Sequence, residues 1–359
     1  MSTTVKTPVA DPPGSPGQRW RLPSSAEAAV SPVAIVVGCL VVLALAWFAF
    51  TPYYLYLTVL TAFACIGAAA LNLQMGYTGL VSIGNAGFMA VGAFTAVWAD
   101  HFGGLLAGVL AGGVAAGIVG LLVGAVAMRL RGFYLVLSTL ALQFVVAFAG
   151  QQIEQALNKP AGFILPIPSV GPWQLGSDRS WLMFALIFLA IELIIINLIM
   201  RGRLGRAFLA IREHENAAGV AGVNVALHKM LASGISAAMI GVGGAALGYY
   251  IGNVDYSTYT LDLAVSYAAM VLIGGLGSKY GPLLGAALIT LLPALLSALD
   301  SGSSAGYFTQ HASSIDLLVY GLLIIAIVLI EPGGLAVLLR RLTDPVGRWL
   351  ARIVRGNGS

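Results

Sequence analysis

The chain has 359 residues, of which 59% are hydrophobic and only 9% charged. Soluble globular domains carry about 25% charged residues, so a mean hydropathy of +0.92 excludes a water-soluble fold and implies an all-α, polytopic membrane protein. The formal net charge of +4 describes membrane orientation and implies no nucleic-acid partner.

Residues 1–30, with PPGSPG at 12–17, have too little apolar surface to bury and are expected to form a disordered cytoplasmic tail. Apolar runs able to cross a hydrocarbon core of about 30 Å as helix then recur at roughly 33–51, 54–75, 86–99, 104–127, 133–150, 181–200, 230–252, 264–276, 282–299 and 314–331. The first also carries Ala44-Leu45-Ala46, the small-x-small form of a signal-peptide cleavage site. Its apolar run continues through Trp47, Phe48 and Phe50, which favours a membrane span. The runs 86–99 and 264–276 are short and flanked by glycine, so broken or re-entrant helices are expected there. The expected count is eight to ten crossings in a transmembrane domain over 31–335. A basic cytoplasmic tail follows at 336–359.

Cytoplasmic loops retain Lys and Arg. With the N-terminus inside, ten crossings place sixteen of the 18 cations on the cytoplasmic side and only Lys159 and Arg179 outside. One alternating path therefore fits nearly every cation, with both termini cytoplasmic. The surrounding membrane lipid is the solvent of the fold.

Catalytic and metal-binding patterns are not found. Cys39 and Cys65 lie within expected spans without metal or redox spacing. The four histidines are scattered. GGLGSKYGP at 274–282 lacks the Gly-Lys-Ser/Thr order of a phosphate-binding loop, so the chain itself is expected to bind no ATP and no cofactor, and to be no enzyme. Glu192, in IELIIIN at 191–197, is the one acid well inside a span. An intramembrane carboxylate is a functional candidate by default; the structural alternative is an interhelical hydrogen bond near Asn197.

Glycine makes up 45 of the residues, an eighth of the chain against about 7% on average. It clusters at GYTGLVSIGNAGFMAVGAF (76–94) and GGLGSKYGPLLGAA (274–287). Backbone that leaves the helical path at membrane depth survives where it lines a cavity or is buried in protein. Thr78, Ser82 and Asn85 would then face a solute path. The same glycines also suit close helix packing, and both readings stand at this stage.

The stretch GRAFLAIREHENAAGVAGVNVALHK at 205–229 concentrates charge between two very apolar spans. Its position is a cytoplasmic loop, 201–229. The middle is helix-forming, Gly222 can end a helix in the left-handed conformation, and Asn224 can cap the next one. An ordered amphipathic element on the inner face is suited to docking into a groove on another protein.

This loop resembles the EAA loop of permease subunits of bacterial ABC importers, through Asn216-Ala217-Ala218-x-x-x-Gly222. With LNLQMGYTGLVSIGNAGF (71–88), RLRGFYLVLSTLAL (129–142), VLIGGLGSKYGPLLGAAL (271–288) and EPGGL (331–335), the chain resembles the LivM-type branch. That branch handles branched-chain amino acids, urea or amides. Asn216 stands where the EAA loop has glutamate, with Glu215 beside it, and Asn85 where many relatives have His. The resemblance implies a subunit of the bacterial plasma (inner) membrane that moves a small polar solute, branched-chain amino acids above all, by alternating access. Its implied partners are two cytoplasmic ABC ATPase subunits, a homologous second permease subunit and an external solute-binding protein. Arg212, Glu213, Glu215, Asn216, Ala217, Ala218 and Gly222 would couple to the ATPases, and Thr78, Ser82, Asn85 and Glu192 would lie on the path. The alternative is a secondary transporter driven by an ion gradient, which needs intramembrane ionisable groups; Glu192 is the single candidate.

Overall fold

The computed structural model describes residues 38, 39, 43, 51–127, 133–170, 173–300, 321, 322, 325 and 334–337. The expected N-terminal tail, almost all of the first and last spans and nearly all of the basic C-terminal tail lie outside the described residues.

Helix α1 (Pro52–Asn72) starts on a proline, whose missing N–H is no loss in a first helical turn, and runs into a π-helical turn at Leu73–Tyr77. From Ala62 to Asn72 every residue is buried. A helix apolar on all sides belongs at the centre of a bundle, and α1 packs against four of the other long helices.

Helix α2 (Asn85–Ala127) has 43 residues, about 64 Å at 1.5 Å per residue and twice the membrane core. It is folded in the middle: Gly103 and Gly104 leave helical geometry, Gly104 with φ +63°. The arms run antiparallel, since a methyl group at Gly112 would sit 2.5 Å from the Gly92 carbonyl oxygen. The expected runs 86–99 and 104–127 are the two arms of this hairpin. Helix α7 (Val225–Ile251) lies along both arms. There Gly92 meets the Gly241 backbone, Gly241 faces Gly112 and Ala116, and Gly244 abuts the Met89 backbone. Glycine lets three backbones converge, because close van der Waals approach drives helix association in lipid. The outer edge of the second arm exposes Leu106, Leu110, Val114, Ile118 and Leu122 at four-residue intervals, an apolar stripe suited to lipid.

Helix α3 (Phe133–Ala156) flanks the hairpin. Helix α4 (Asp178–Arg201) begins with a reciprocal Ser177–Ser180 capping box and packs on α1. Helices α8 (Leu261–Gly274) and α9 (Gly281–Asp300) form a tight antiparallel pair, with Gly285 against the Met270 carbonyl and Gly274 against Gly281. The short run 264–276 is thus part of a helix that, with the 3₁₀ turn Tyr256–Thr258 before it, is long enough to cross. By length and composition six helices among the described residues can span a membrane, the hairpin counted as one.

Two ends are defined by contacts. At one, strand β1 (Phe163–Ile164) pairs antiparallel with β4 (Asn253–Val254), and β2 (Ser169–Val170) pairs with β3 (Trp173–Gln174). Glu154 accepts from the Tyr256 N–H at 2.7 Å there, and Gln143 donates to the Tyr259 carbonyl at 2.8 Å. The other end carries the segment 201–224 and the turns at 78–84 and 275–280.

Candidate functional site

The loop between α4 and α7 folds into two helices, α5 (Arg203–Glu213) and α6 (Glu215–Val220). Gly205 allows the sharp turn out of α4, because a side chain there would strike the Met200 backbone. Helix α5 is strongly two-faced. Gly205, Ala207, Phe208 and Ile211 are buried, while Arg203, Arg206, Arg212 and Glu213 are exposed. Phe208, fully buried, anchors α5 in a second core with Leu73, Tyr77, Ile196 and Ala232. Its ring meets His228 of α7 edge to face at 6.4 Å.

The expected single helix is broken at His214, whose extended backbone (φ −152°, ψ 101°) re-aims α6. Gly222 takes φ +86° and closes α6 in a Schellman motif: its N–H donates to the Gly219 carbonyl, and that of Val223 to the Ala218 carbonyl. Asn224 caps α7, its side chain accepting from the Leu227 N–H at 3.1 Å. Of the seven loop residues singled out by sequence, Ala218 is buried, Glu215 is partly buried in an ion pair with Lys229, and Arg212, Glu213, Asn216, Ala217 and Gly222 are exposed. Val220 projects beside them, 93% exposed. The sequence reading did not single it out, because nothing in the sequence tells an exposed valine from a buried one.

Beneath α5 the glycine-rich segments converge. Asn72 accepts from the Gly277 N–H at 2.9 Å and donates to the Ser278 carbonyl at 2.9 Å. Gly76 fits against both Asn72 and Gly277, and Gly334 of the EPGGL run fits against Gly275. Thr139 of α3 accepts from the Ile83 N–H at 3.1 Å, and its carbonyl leaves no space for a side chain at Gly84. Four separated segments of sequence thus meet at one end of the bundle. Asn72, a polar residue embedded in an apolar run, is the link that the sequence offered and the reading passed over.

The four expected path residues are all buried within the chain. Thr78 donates its hydroxyl to the Gln74 carbonyl. Ser82 and Asn85 are fully buried, and the Asn85 Oδ1 has no partner among the described residues. Glu192 is 6% exposed, and neither carboxyl oxygen has a hydrogen-bond partner among the described residues. Thr78, Ser82 and Asn85 share the 78–85 segment; Glu192, on α4, is not part of that cluster.

A cavity of about 40 Å³, room for a few waters, is lined by Asn72, Tyr77, Asn197, Lys279 and Tyr280 over an apolar wall. A larger cleft of about 470 Å³ is bordered by Pro52, Leu55, Ser177, Asp178 and Arg179. Near it, Asp178 accepts from the Tyr250 hydroxyl at 3.1 Å.

A centrally buried α1, a glycine-seamed hairpin and an ordered helix pair fixed on one end define a polytopic α-helical membrane protein. The chain belongs to the family of branched-chain amino acid transport system permease components, whose model matches residues 53–328. It is 28% identical over 307 residues to the high-affinity branched-chain amino acid transport system permease protein LivM of Escherichia coli (strain K12), covering 77% of this chain and 71% of that protein. To LivM of Salmonella typhimurium it is 28% identical over 284 residues, covering 70% and 66% respectively. No solved structure matches the chain.

Proposed function

We propose that the chain is the membrane-spanning permease subunit of an ATP-driven importer of branched-chain amino acids, working by alternating access in a bacterial plasma membrane. One observation carries the reading: the α5–α6 element is an ordered helix pair anchored by Phe208, and it presents Glu213, Asn216, Ala217 and Val220 outward. A tether between spans needs no such anchoring. Two ABC ATPase subunits would dock on this face, a homologous permease would pair beside the bundle, and an external solute-binding protein would deliver solute to the opposite end. The 201–229 end is then cytoplasmic, consistent with Arg201, Arg203, Arg206, Arg212 and Lys279 gathering there.

Along the path, Asn85 and Glu192 are the groups a polar solute or water would meet when the bundle opens, because buried polar atoms without partners call for one; Ser82, whose Oγ accepts from the Gly84 N–H at 3.4 Å, would join them from three residues before Asn85. Thr78, whose hydroxyl is occupied by the Gln74 carbonyl, shapes the turn that leads to them. The structure is then a closed state of a switch between two packed arrangements.

The test is uptake of labelled leucine into proteoliposomes holding the permease pair and its ATPases. Transport should require ATP on the ATPase side and survive a protonophore. Transport driven by an imposed proton or sodium gradient without ATP would replace this reading with the secondary transporter, with Glu192 as its ionisable group.

A further inference from the structure

Arg212 lies in the last turn of α5 and is exposed, the position of a residue reaching for a partner. Its side chain nevertheless lies back across the bundle. A methyl group at Gly79 would touch Arg212 Cγ at 3.5 Å and Cα at 3.7 Å. One at Gly277 would collide with Arg212 Nη1 and lie 3.2 Å from its Cζ. Gly79 and Gly277 have φ of +73° and +75°, so each is a left-handed turn that disfavours a side chain. Arg212 thus occupies the space that two glycine turns leave open. Gly277 also packs on Gly76, three residues before Gly79, and its N–H donates to Asn72, while the Gly79 turn leads on to Ser82 and Asn85.

We propose that Arg212 is a positioning residue that acts inward, carrying movement of the α5–α6 element to the 76–85 and 275–281 turns. The proposal rests on the importer reading and adds the route by which the docking element reaches the path. Phe208 fixes α5 to the core, and Arg212 is the residue of its last turn that touches both glycine turns, with Cα, Cβ and Cγ against Gly79 and the guanidinium against Gly277. A planar, rigid group in close contact passes on displacement better than a flexible ammonium would, and close-packed interiors transmit strain.

The test uses the complete complex in proteoliposomes, with Arg212→Ala and Arg212→Lys. The complex should keep its ATPase subunits and basal hydrolysis in both variants, while binding-protein-stimulated hydrolysis and uptake fall about tenfold in both. Hydrogen exchange in 76–85 and 275–281 should rise in Arg212→Ala, a readout that needs no ATPase. A charge contact to the ATPase predicts the opposite pattern: Arg212→Ala releases the ATPase subunits, and Arg212→Lys restores both binding and uptake. That pattern, or wild-type uptake in Arg212→Ala, overturns the proposal. A wild-type chain that retains no ATPase subunit overturns the importer reading and this inference with it.

Discussion

Lys229 and Glu215 form a 2.7 Å ion pair in which the lysine side chain is only 6% exposed and the glutamate 34%. The pair ties the start of α6 to the first turns of α7, so Glu215 is engaged inside the chain. Removing one partner of such a pair leaves a charge in a poorly solvated site, which costs more than the pair itself contributes. Glu215→Gln should therefore lower the stability of the detergent-solubilised protein by about 1–3 kcal/mol. Glu215→Gln combined with Lys229→Met should recover most of it. Thermal unfolding of the three variants checks this, and a wild-type melting temperature for Glu215→Gln would show that the pair does not hold α6.

Val220 and Glu213 offer a cleaner test of docking, because both are exposed. Replacing an exposed valine by aspartate changes little in the isolated chain, where surface substitutions stay within about 0.5 kcal/mol. In a docked state the same carboxylate would be desolvated without a partner. Val220→Asp should melt like wild type and release the ATPase subunits on purification, whereas Glu213→Lys, a rim charge, should weaken retention only modestly. Full retention with Val220→Asp would remove this face from the interface.

How much of this was legible beforehand depends on the range of the interactions involved. Local signals worked: the glycine at 222 ends a helix, Asn224 caps the next, and the apolar runs 86–99 and 104–127 separate at Gly103–Gly104. Each of these is set by the backbone freedom or hydrogen bonding of a few neighbouring residues. The break at His214 was missed because Arg212 to Asn216 has ordinary helix-forming composition, and the turn is fixed by what α5 and α6 pack against. Asn72 meeting Gly277 and Lys229 meeting Glu215 are tertiary pairings without periodicity to reveal them. The glycines had two readings by sequence alone. The structure shows those at 92, 112 and 241 as packing positions, and those at 79 and 277 as left-handed turns beneath α5.

The packing glycines give a prediction with an internal control. A methyl group at Gly92 would overlap the Gly241 carbonyl, whereas one at Gly219 on α6 finds only Val225 Cγ2 at 3.9 Å. Gly92→Ala should destabilise by about 1–3 kcal/mol through overpacking. Gly219→Ala should stabilise by up to about 1 kcal/mol through helix propensity. Both are read as thermal stability in detergent; equal effects would mean that the three-helix seam is looser than its geometry.

Orientation is checked by thiol labelling in a background of Cys39→Ala and Cys65→Ala. Gly176 is exposed with no atom within 4 Å of an added side chain, and Asn216 is exposed at the opposite end. Gly176→Cys should react with an impermeant reagent on intact cells, and Asn216→Cys only after permeabilisation. The reverse pattern would put the α5–α6 element outside and end the docking proposal.

Asn85 separates a path role from a packing role. Its side chain is fully buried, its amide reaches only the Met89 sulfur at 4.0 Å, and its Oδ1 has no partner among the described residues. A buried amide so poorly satisfied contributes little to stability, and replacing it with an apolar group of similar size can be neutral or stabilising. Asn85→Leu should then melt at or above the wild-type temperature. If the residue meets solute when the bundle opens, uptake should nonetheless fall about tenfold or more, because a polar solute loses its hydrogen-bonding group at that point. Thr78→Val supplies the contrast: its hydroxyl is already bound to the Gln74 carbonyl, so it should lose about 0.5–1.5 kcal/mol of stability and largely keep its transport. The first variant would thus lose uptake without losing stability, and the second would lose stability while keeping uptake. An Asn85→Leu protein that is stable and transports leucine at the wild-type rate would return the whole 78–85 segment to packing.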